Sequence, residues 1–172
     1  FYNGRLESPP AQMSTVNGHR PIRYEDVNGV YDRRTNMHEA KYVVTLLKEL
    51  WGCGAECPTV GVVTFNQPQR DLIEDLVEEE CLRDPIFCVL YQRESSHEED
   101  NQDVGFFVKN LESVQGDERD VMVFSTTFGR DTEQRFYRRF GPVGAVGGER
   151  RLNVAVTRAK QQVIVVGSMP VE

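Results

Sequence analysis

The chain has 172 residues, of which 39% are hydrophobic and 27% are charged, and its formal net charge is −7 at neutral pH. This length and composition are typical of one soluble globular domain with a core of its own. The negative charge argues against a protein that coats nucleic acid with its whole surface. The sequence shows no apolar run of membrane-spanning length and no signal peptide, so we expect a cytoplasmic protein without a membrane partner.

Strand-like and helix-like segments alternate along most of the chain. Residues 1–21 are predicted to be irregular because proline and glycine interrupt them. The apolar pattern of strands occurs in segments 22–27, 60–65, 86–90, 105–108, 121–126 and 163–166. Helical patterns begin after Asn36, at Pro68 and at Gly148. Asn36 is predicted to cap its helix with Glu39 as the reciprocal partner. This alternation predicts an α/β fold with a mostly parallel sheet and helices on both faces.

Charged residues are unevenly distributed. Residues 71–103 contain twelve acidic and two basic residues, whereas residues 130–160 contain eight basic and three acidic ones. The acidic stretch is typical of a solvated helix face, and the basic stretch predicts attraction for phosphate. The cysteine spacing matches no common zinc pattern, so we expect free thiols and no metal site. The cysteines are Cys53, Cys57, Cys81 and Cys88.

The stretch GERRLNVAVTRAK, residues 148–160, is the strongest functional signal. Leu152, Val156 and Ala159 recur at helical spacing and should face the core. Arg151 and Arg158 would lie two helical turns apart, beside that apolar stripe. Two guanidinium groups at the edge of a core helix predict a site for an anion, above all a phosphate. The alternative is a pair of solvated arginines in surface salt bridges.

A second polar stretch, NLESVQGDERD at residues 110–120, precedes the apolar residues 121–124. Gly116 would let the backbone approach a ligand closely. The polar side chains around it could reach a ribose or a phosphate. Such a stretch is also typical of an ordinary polar turn before a strand.

Together, and in this order, the two stretches resemble motifs V and VI of the superfamily I DNA and RNA helicases. The likeness is greatest to the branch that contains the nonsense-mediated-decay helicase and its bacterial relatives. Residues 61–69, GVVTFNQPQ, resemble motif IV of the same family. The resemblance implies a RecA-like three-layer fold over residues 22–172, the second of two motor domains. Residues 1–21 would be the linker from the first.

The resemblance also implies roles for individual residues. Arg158 would be an arginine finger that neutralises charge on the transferring phosphoryl group, and Arg151 would assist it. The residues implied in ATP binding are Gln115, Gly116 and Glu118. The residues expected to contact the backbone of single-stranded nucleic acid are Thr64, Asn110, Ser125 and Thr126. Interleaving with aromatic residues adds three more predicted contacts, Arg135, Arg138 and Arg139.

The sequence lacks the other half of an ATP site. None of the four lysines follows a glycine, so the chain contains no P-loop of the Gly-Lys-Ser or Gly-Lys-Thr class. No apolar strand ends in Asp-Glu to hold Mg²⁺. We therefore expect a fragment that is inactive alone, with ATP and Mg²⁺ held mainly by a first motor domain that ends just before Phe1. We expect the complete enzyme to act as a monomer on single-stranded DNA or RNA.

Two other classes of protein stay open. A non-catalytic nucleic-acid-binding module would use the basic and aromatic residues 130–140 alone. A purely structural α/β interaction domain would need neither Arg151 nor Arg158. The sequence leaves DNA and RNA open as substrates, with a lean towards a bacterial DNA-directed enzyme.

Overall fold

The computed structural model describes residues 20–54, 57–114, 116–138 and 140–170. The strands are β1 (Ile22–Asp26), β2 (Val60–Thr64), β3 (Glu98–Glu99), β4 (Gln102–Asp103), β5 (Phe107–Asn110), β6 (Arg119–Gly129) and β7 (Ala159–Ser168). The helices are α1 (Met37–Trp51), α2 (Gln67–Arg83), α3 (Pro85–Ser95), α4 (Gly141–Gly144) and α5 (Gly148–Val156). Three sequence predictions lie outside the described residues: the structure of 1–19, Gln115 and Arg139.

Five strands form one parallel sheet in the order β1-β7-β6-β2-β5. The apolar side chains of α1, α2 and α3 pack on one face of this sheet. The other face is covered by Leu111, Val114 and the buried Ala155 of α5. Successive residues of a strand point to opposite faces, so the unbroken apolar run of β6 serves both layers. The predicted three-layer α/β fold is confirmed.

All five strands of the parallel sheet begin along one edge and end along the opposite edge. The first residues of the strands lie along one edge, here called the amino edge, and the last residues lie along the opposite edge, the carboxyl edge. Residues 110–118 run from the carboxyl end of β5 to the amino end of β6. The two stretches that resemble helicase motifs V and VI therefore meet at the amino edge, where β6 and β7 begin.

The predicted cap of α1 is half correct. The Asn36 side chain accepts a hydrogen bond from the Glu39 N–H at 3.2 Å, as an N-cap does. The Glu39 carboxylate does not return to the Asn36 N–H, which donates to Gln69 Oε1 at 2.7 Å instead. Glu39 turns inward and is fully buried. The capping box is therefore wrong, and its carboxylate is used elsewhere.

The strand predicted at 86–90 is wrong, because this segment belongs to α3. Asp84 Oδ1 accepts hydrogen bonds from the N–H groups of Ile86 and Phe87 at 3.0 and 3.1 Å, and Pro85 follows this cap. Ile86 and Val89 are 74% and 65% exposed, whereas Phe87 is buried, so the apolar run presents only one helix face to the core. The polar residues after α3 form the short antiparallel hairpin of β3 and β4.

The helix predicted over 148–160 ends four residues early. α5 stops at Val156, Thr157 caps it, and Ala159 already belongs to β7. The predicted apolar stripe therefore crosses a helix end and is only partly correct. Leu152 and Ala159 pack against the core as expected, whereas Val156 is exposed and Ala155 is buried in its place. Arg151 and Arg158 consequently do not share a helix face.

Candidate functional site

Arg158 lies in the turn between α5 and β7 at the amino edge. Its Nη1 donates to Glu118 Oε1 at 3.1 Å, and its Nε donates to the carbonyl of Val154 at 3.3 Å. A cation beside the last carbonyl groups of a helix is favoured by the helix dipole. The Arg158 and Glu118 side chains are 26% and 51% exposed, so a ligand can reach both. The fold thus brings together two residues that lie forty positions apart.

A backbone hydrogen bond also joins the stretch 110–120 to the stretch 148–160. The Arg119 N–H donates to the Arg158 carbonyl at 3.1 Å. The buried Arg119 guanidinium donates twice to the Gly105 carbonyl, at 2.9 and 2.7 Å, and its Cζ lies 4.9 Å from the centre of the Phe107 ring. Arg119 could not be recognised from the sequence, because one arginine in a polar stretch carries no signal of burial. It fixes the start of β6, next to Arg158.

Gly116 occupies a conformation that favours glycine, with φ at +82°. A Cβ added there would meet no atom within 4 Å among the described residues. The glycine is therefore required by the backbone turn rather than by close packing, and the space beside it is open. Lys109 and Asp117 pair at 2.7 Å in the same stretch. Arg151 lies half-buried on α5, which begins after Gly147, also at positive φ.

The hydroxyl groups predicted to contact nucleic acid are buried at the carboxyl edge. Thr64 Oγ1 donates to the Asn66 carbonyl at 2.8 Å, and Ser125 Oγ and Thr126 Oγ1 donate to the Glu39 carboxylate at 2.7 and 3.3 Å. Each therefore already has an internal partner. Asn110 is half-buried: its amide donates to Gln67 Oε1 at 2.9 Å and accepts from Ser113 Oγ at 2.6 Å.

Glu39 is the centre of this buried polar group. Besides Ser125 and Thr126, the Thr127 N–H donates to its Oε2 at 2.7 Å and the Asn36 amide donates to its Oε1 at 3.3 Å. Burial raises the pKa of the Glu39 carboxyl to about 7, although the hydrogen bonds it accepts act in the opposite direction. The spacing of Glu39 from Asn36 was visible in the sequence, but no sequence pattern indicated its distant partners in β6.

Residues 130–138, here called the basic loop, follow β6 at the carboxyl edge. Arg135 pairs with Asp131 at 3.2 Å and Glu133 at 2.7 Å, and Arg130 and Arg138 are exposed. Tyr137 is 53% exposed and lies under the Arg135 guanidinium, 5.8 Å from Cζ to ring centre. The basic loop thus presents cations and one accessible aromatic ring on the same surface.

A sequence model of the family described as an AAA domain matches residues 1–170. The chain belongs to this family. It is 37% identical over 142 residues to an uncharacterized ATP-dependent helicase of Mycoplasma genitalium, covering 83% of this chain and 12% of that protein. It is 28% identical over 146 residues to the DNA polymerase alpha-associated DNA helicase A of Schizosaccharomyces pombe, covering 84% and 18%. The resemblance to helicases is confirmed, and this is a helicase-family domain.

This AAA domain spans less than a fifth of the length of those two relatives. A solved structure, the C-terminal domain of a possible DNA helicase from Lactobacillus plantarum, is 15% identical, with a TM-score of 0.38 over 86% of this chain and 72% of that chain. A likeness at that level adds nothing to the family assignment, which stands on the sequence match.

The amino edge of this AAA domain fits a phosphate group better than a metal ion. The Arg158 fork and the open Gly116 turn suit an anion. The Glu118 carboxylate already faces Arg158, and the Asp117 carboxylate already pairs with Lys109. No group of three or more metal-binding side chains occurs among the described residues. In the same part of the chain, no helix is long and apolar enough to cross a membrane.

Proposed function

We propose that this domain is the second motor domain of an ATP-dependent helicase, with Arg158 as its arginine finger. The observation that carries the proposal is the 3.1 Å contact between Arg158 and Glu118, which joins the two helicase-like stretches at one edge of the sheet. The helicase names of the relatives support it. The domain proper comprises residues 22–172, and the complete protein is a cytoplasmic monomer.

The catalytic role of Arg158 follows from its charge and its fork. A partner motor domain supplies the phosphate-binding loop and the Mg²⁺ ligands, and bound ATP supplies the phosphoryl group that is transferred to water. The planar guanidinium of Arg158 sets two N–H groups against the charge on that group. Glu118 holds the guanidinium in place and accepts from a ribose hydroxyl, and Gly116 leaves the backbone open to the phosphates. Gln115 takes part in binding ATP, and Arg151 assists from α5.

The carboxyl edge binds single-stranded nucleic acid through the basic loop. Arg135 and Arg138 are exposed and contact backbone phosphates, and Tyr137 provides a face on which a base can stack. Arg139 is a third proposed phosphate contact. Asn110 adds a contact at the surface. The hydroxyl groups of Thr64, Ser125 and Thr126 are buried, so these residues lie beneath the surface that binds nucleic acid and support it from inside. Phosphate and stacking contacts do not distinguish DNA from RNA, so the proposed substrate is single-stranded DNA or RNA.

The test uses the intact protein that carries this domain. Arg158→Ala should reduce ATP turnover stimulated by oligothymidylate by roughly 10³-fold or more, while binding of the oligonucleotide without nucleotide is preserved. Arg150→Ala is the matched control, because Arg150 is an exposed arginine of α5 outside the site. Normal turnover in a folded Arg158→Ala protein would contradict the proposal. Loss of binding in an Arg135, Arg138 and Arg139 triple variant would then favour a non-catalytic nucleic-acid-binding module.

A further inference from the structure

The fully buried carboxylate of Glu39 has no part in the ATP chemistry proposed above. It accepts four hydrogen bonds: from Asn36, Ser125, Thr126 and the backbone of Thr127. Three of the four donors belong to the end of β6. Burying a charge costs free energy even when it is hydrogen-bonded, so stability alone does not explain why a carboxylate is present here.

The end of β6 is irregular where Glu39 holds it. The pairing of β6 with β7 shifts register between Ser125 and Gly129, and residues 125–129 are here called the β6 bulge. Thr127 has φ at +70°, in the left-handed region that a β-branched residue rarely adopts. Its hydroxyl is buried without a hydrogen-bond partner among the described residues. The N–H of this strained residue is the group that Glu39 holds at 2.7 Å.

The β6 bulge sets the direction of the basic loop. Phe128, inside the bulge, packs against Phe140 with ring centres 5.6 Å apart, and Phe140 packs against Phe136 at 6.1 Å. The far end of the basic loop is thus tied back to the bulge. At its near end the Arg130 carbonyl accepts from the Tyr31 N–H at 2.9 Å.

The basic loop is itself braced, so that it turns as a unit. Asp131 Oδ1 accepts from the N–H groups of Glu133 and Arg135, each at 2.9 Å. The Arg130 guanidinium donates to the Gln134 carbonyl at 3.0 Å. A change of direction at the β6 bulge therefore moves the exposed arginines together rather than loosening them one by one.

We propose that Glu39 is a positioning residue for nucleic acid: it holds the β6 bulge, and through it the basic loop, in the orientation that contacts the phosphate backbone. This role rests on the proposed function of the basic loop. Glu39 acts through Thr127 and touches no nucleic acid. Strained residues held by their surroundings cluster at functional sites, and Thr127 lies three residues before the loop.

The test compares four forms of the intact protein: wild type, Glu39→Gln, Thr127→Gly and the double variant. An amide cannot accept at both ends, so Glu39→Gln presents an NH₂ group to either Asn36 or Thr127. We expect backbone amides 126–138 to exchange hydrogen for deuterium faster, and affinity for fluorescein-labelled oligothymidylate to fall roughly fivefold or more. Glycine adopts positive φ without strain, so Thr127→Gly should restore most of the affinity in the double variant.

The control is Glu94→Gln, another buried glutamate, whose partners Arg93 and His97 lie at the end of α3. It should change neither the exchange of 126–138 nor the affinity, with all binding measured well below the melting temperature. Wild-type affinity in Glu39→Gln, or a fall in affinity that Thr127→Gly does not rescue, overturns the positioning role alone. Failure of the wild type itself to bind oligothymidylate and oligouridylate overturns the proposed function, and the positioning role with it.

Discussion

Glu39 should make the stability of this domain fall as the pH rises towards neutrality. Burial raises the pKa of its carboxyl from 4.5 to about 7. The folded state therefore holds a proton that the unfolded state has lost between these two values, so stability is greatest below the lower one. At about 1.36 kcal/mol per pKa unit, the free energy of unfolding should fall by about 3 kcal/mol across this window.

Urea unfolding at a series of pH values, from about pH 5 to about pH 8, measures this contribution when the wild type is compared with Glu39→Gln. The amide does not titrate, and other titrating groups cancel in the difference. The variant should therefore gain about 2 to 3 kcal/mol relative to the wild type as the pH rises. Tyr24 also faces Glu39, but burial raises the pKa of its hydroxyl above 10, outside this range.

A gap between the two unfolding free energies that stays constant with pH would refute the reasoning. It would mean that the desolvation of the carboxylate is fully offset by its four hydrogen bonds. Glu94→Gln is again the matched control, since it removes a buried carboxylate that is paired with Arg93 at 2.6 Å. This experiment needs no nucleotide and no nucleic acid, so it is independent of the proposed function.

Three further predictions concern the proposed site. Arg158→Lys keeps the charge but not the planar fork, so ATP turnover of the intact protein should stay at least about tenfold below wild type. The melting temperature of this variant should change by less than about 4 °C, because a half-exposed ion pair is worth about 1 kcal/mol or less. The isolated domain should unfold cooperatively yet show no Mg²⁺-dependent ATP hydrolysis; turnover by the purified domain would contradict the division of the site. Replacing Arg135, Arg138 and Arg139 by Ala should make the plot of log affinity against log salt shallower by about one unit for each phosphate that the basic loop no longer binds, whereas an unchanged slope would remove this loop from the interface.

Local patterns predicted most of the sheet and its first helix. The apolar runs that became β2, β6 and β7 are flanked by polar turns, and each lies in the core as its pattern required. The Asn36 side chain caps α1 because both partners lie within four residues of each other. Patterns formed by residues only a few positions apart can be recognised from the sequence alone.

The wrong predictions have two causes: two local patterns that favoured different structures, and contacts between residues far apart in the chain. Ile86 and Val89 form an apolar run, yet the cap at Asp84 made a helix with those side chains exposed. Glu39 stands where a capping box would place it, but Ser125 and Thr127 are more than eighty residues away and cannot be inferred from spacing. The pairing of Arg158 with Glu118 could not be predicted from spacing either. Only the resemblance to helicases placed both residues near one bound ATP.

The two proposed sites lie at opposite edges of one sheet, and two neighbouring strands connect them. β7 begins directly after Arg158 and ends at Ser168, whose Oγ accepts from the Asn36 amide at 3.0 Å. β6 begins with its N–H bonded to the Arg158 carbonyl and ends in the bulge held by Glu39. Parallel strands paired along their length are coupled, so under both proposals we expect a displacement of Arg158 towards a phosphate to be transmitted along roughly 26 Å of β6 to Thr127 in the β6 bulge, and from there to the basic loop. Under both proposals Glu39 and Asn36 lie where that displacement arrives, which gives a physical reason for a buried carboxylate at this end of the sheet.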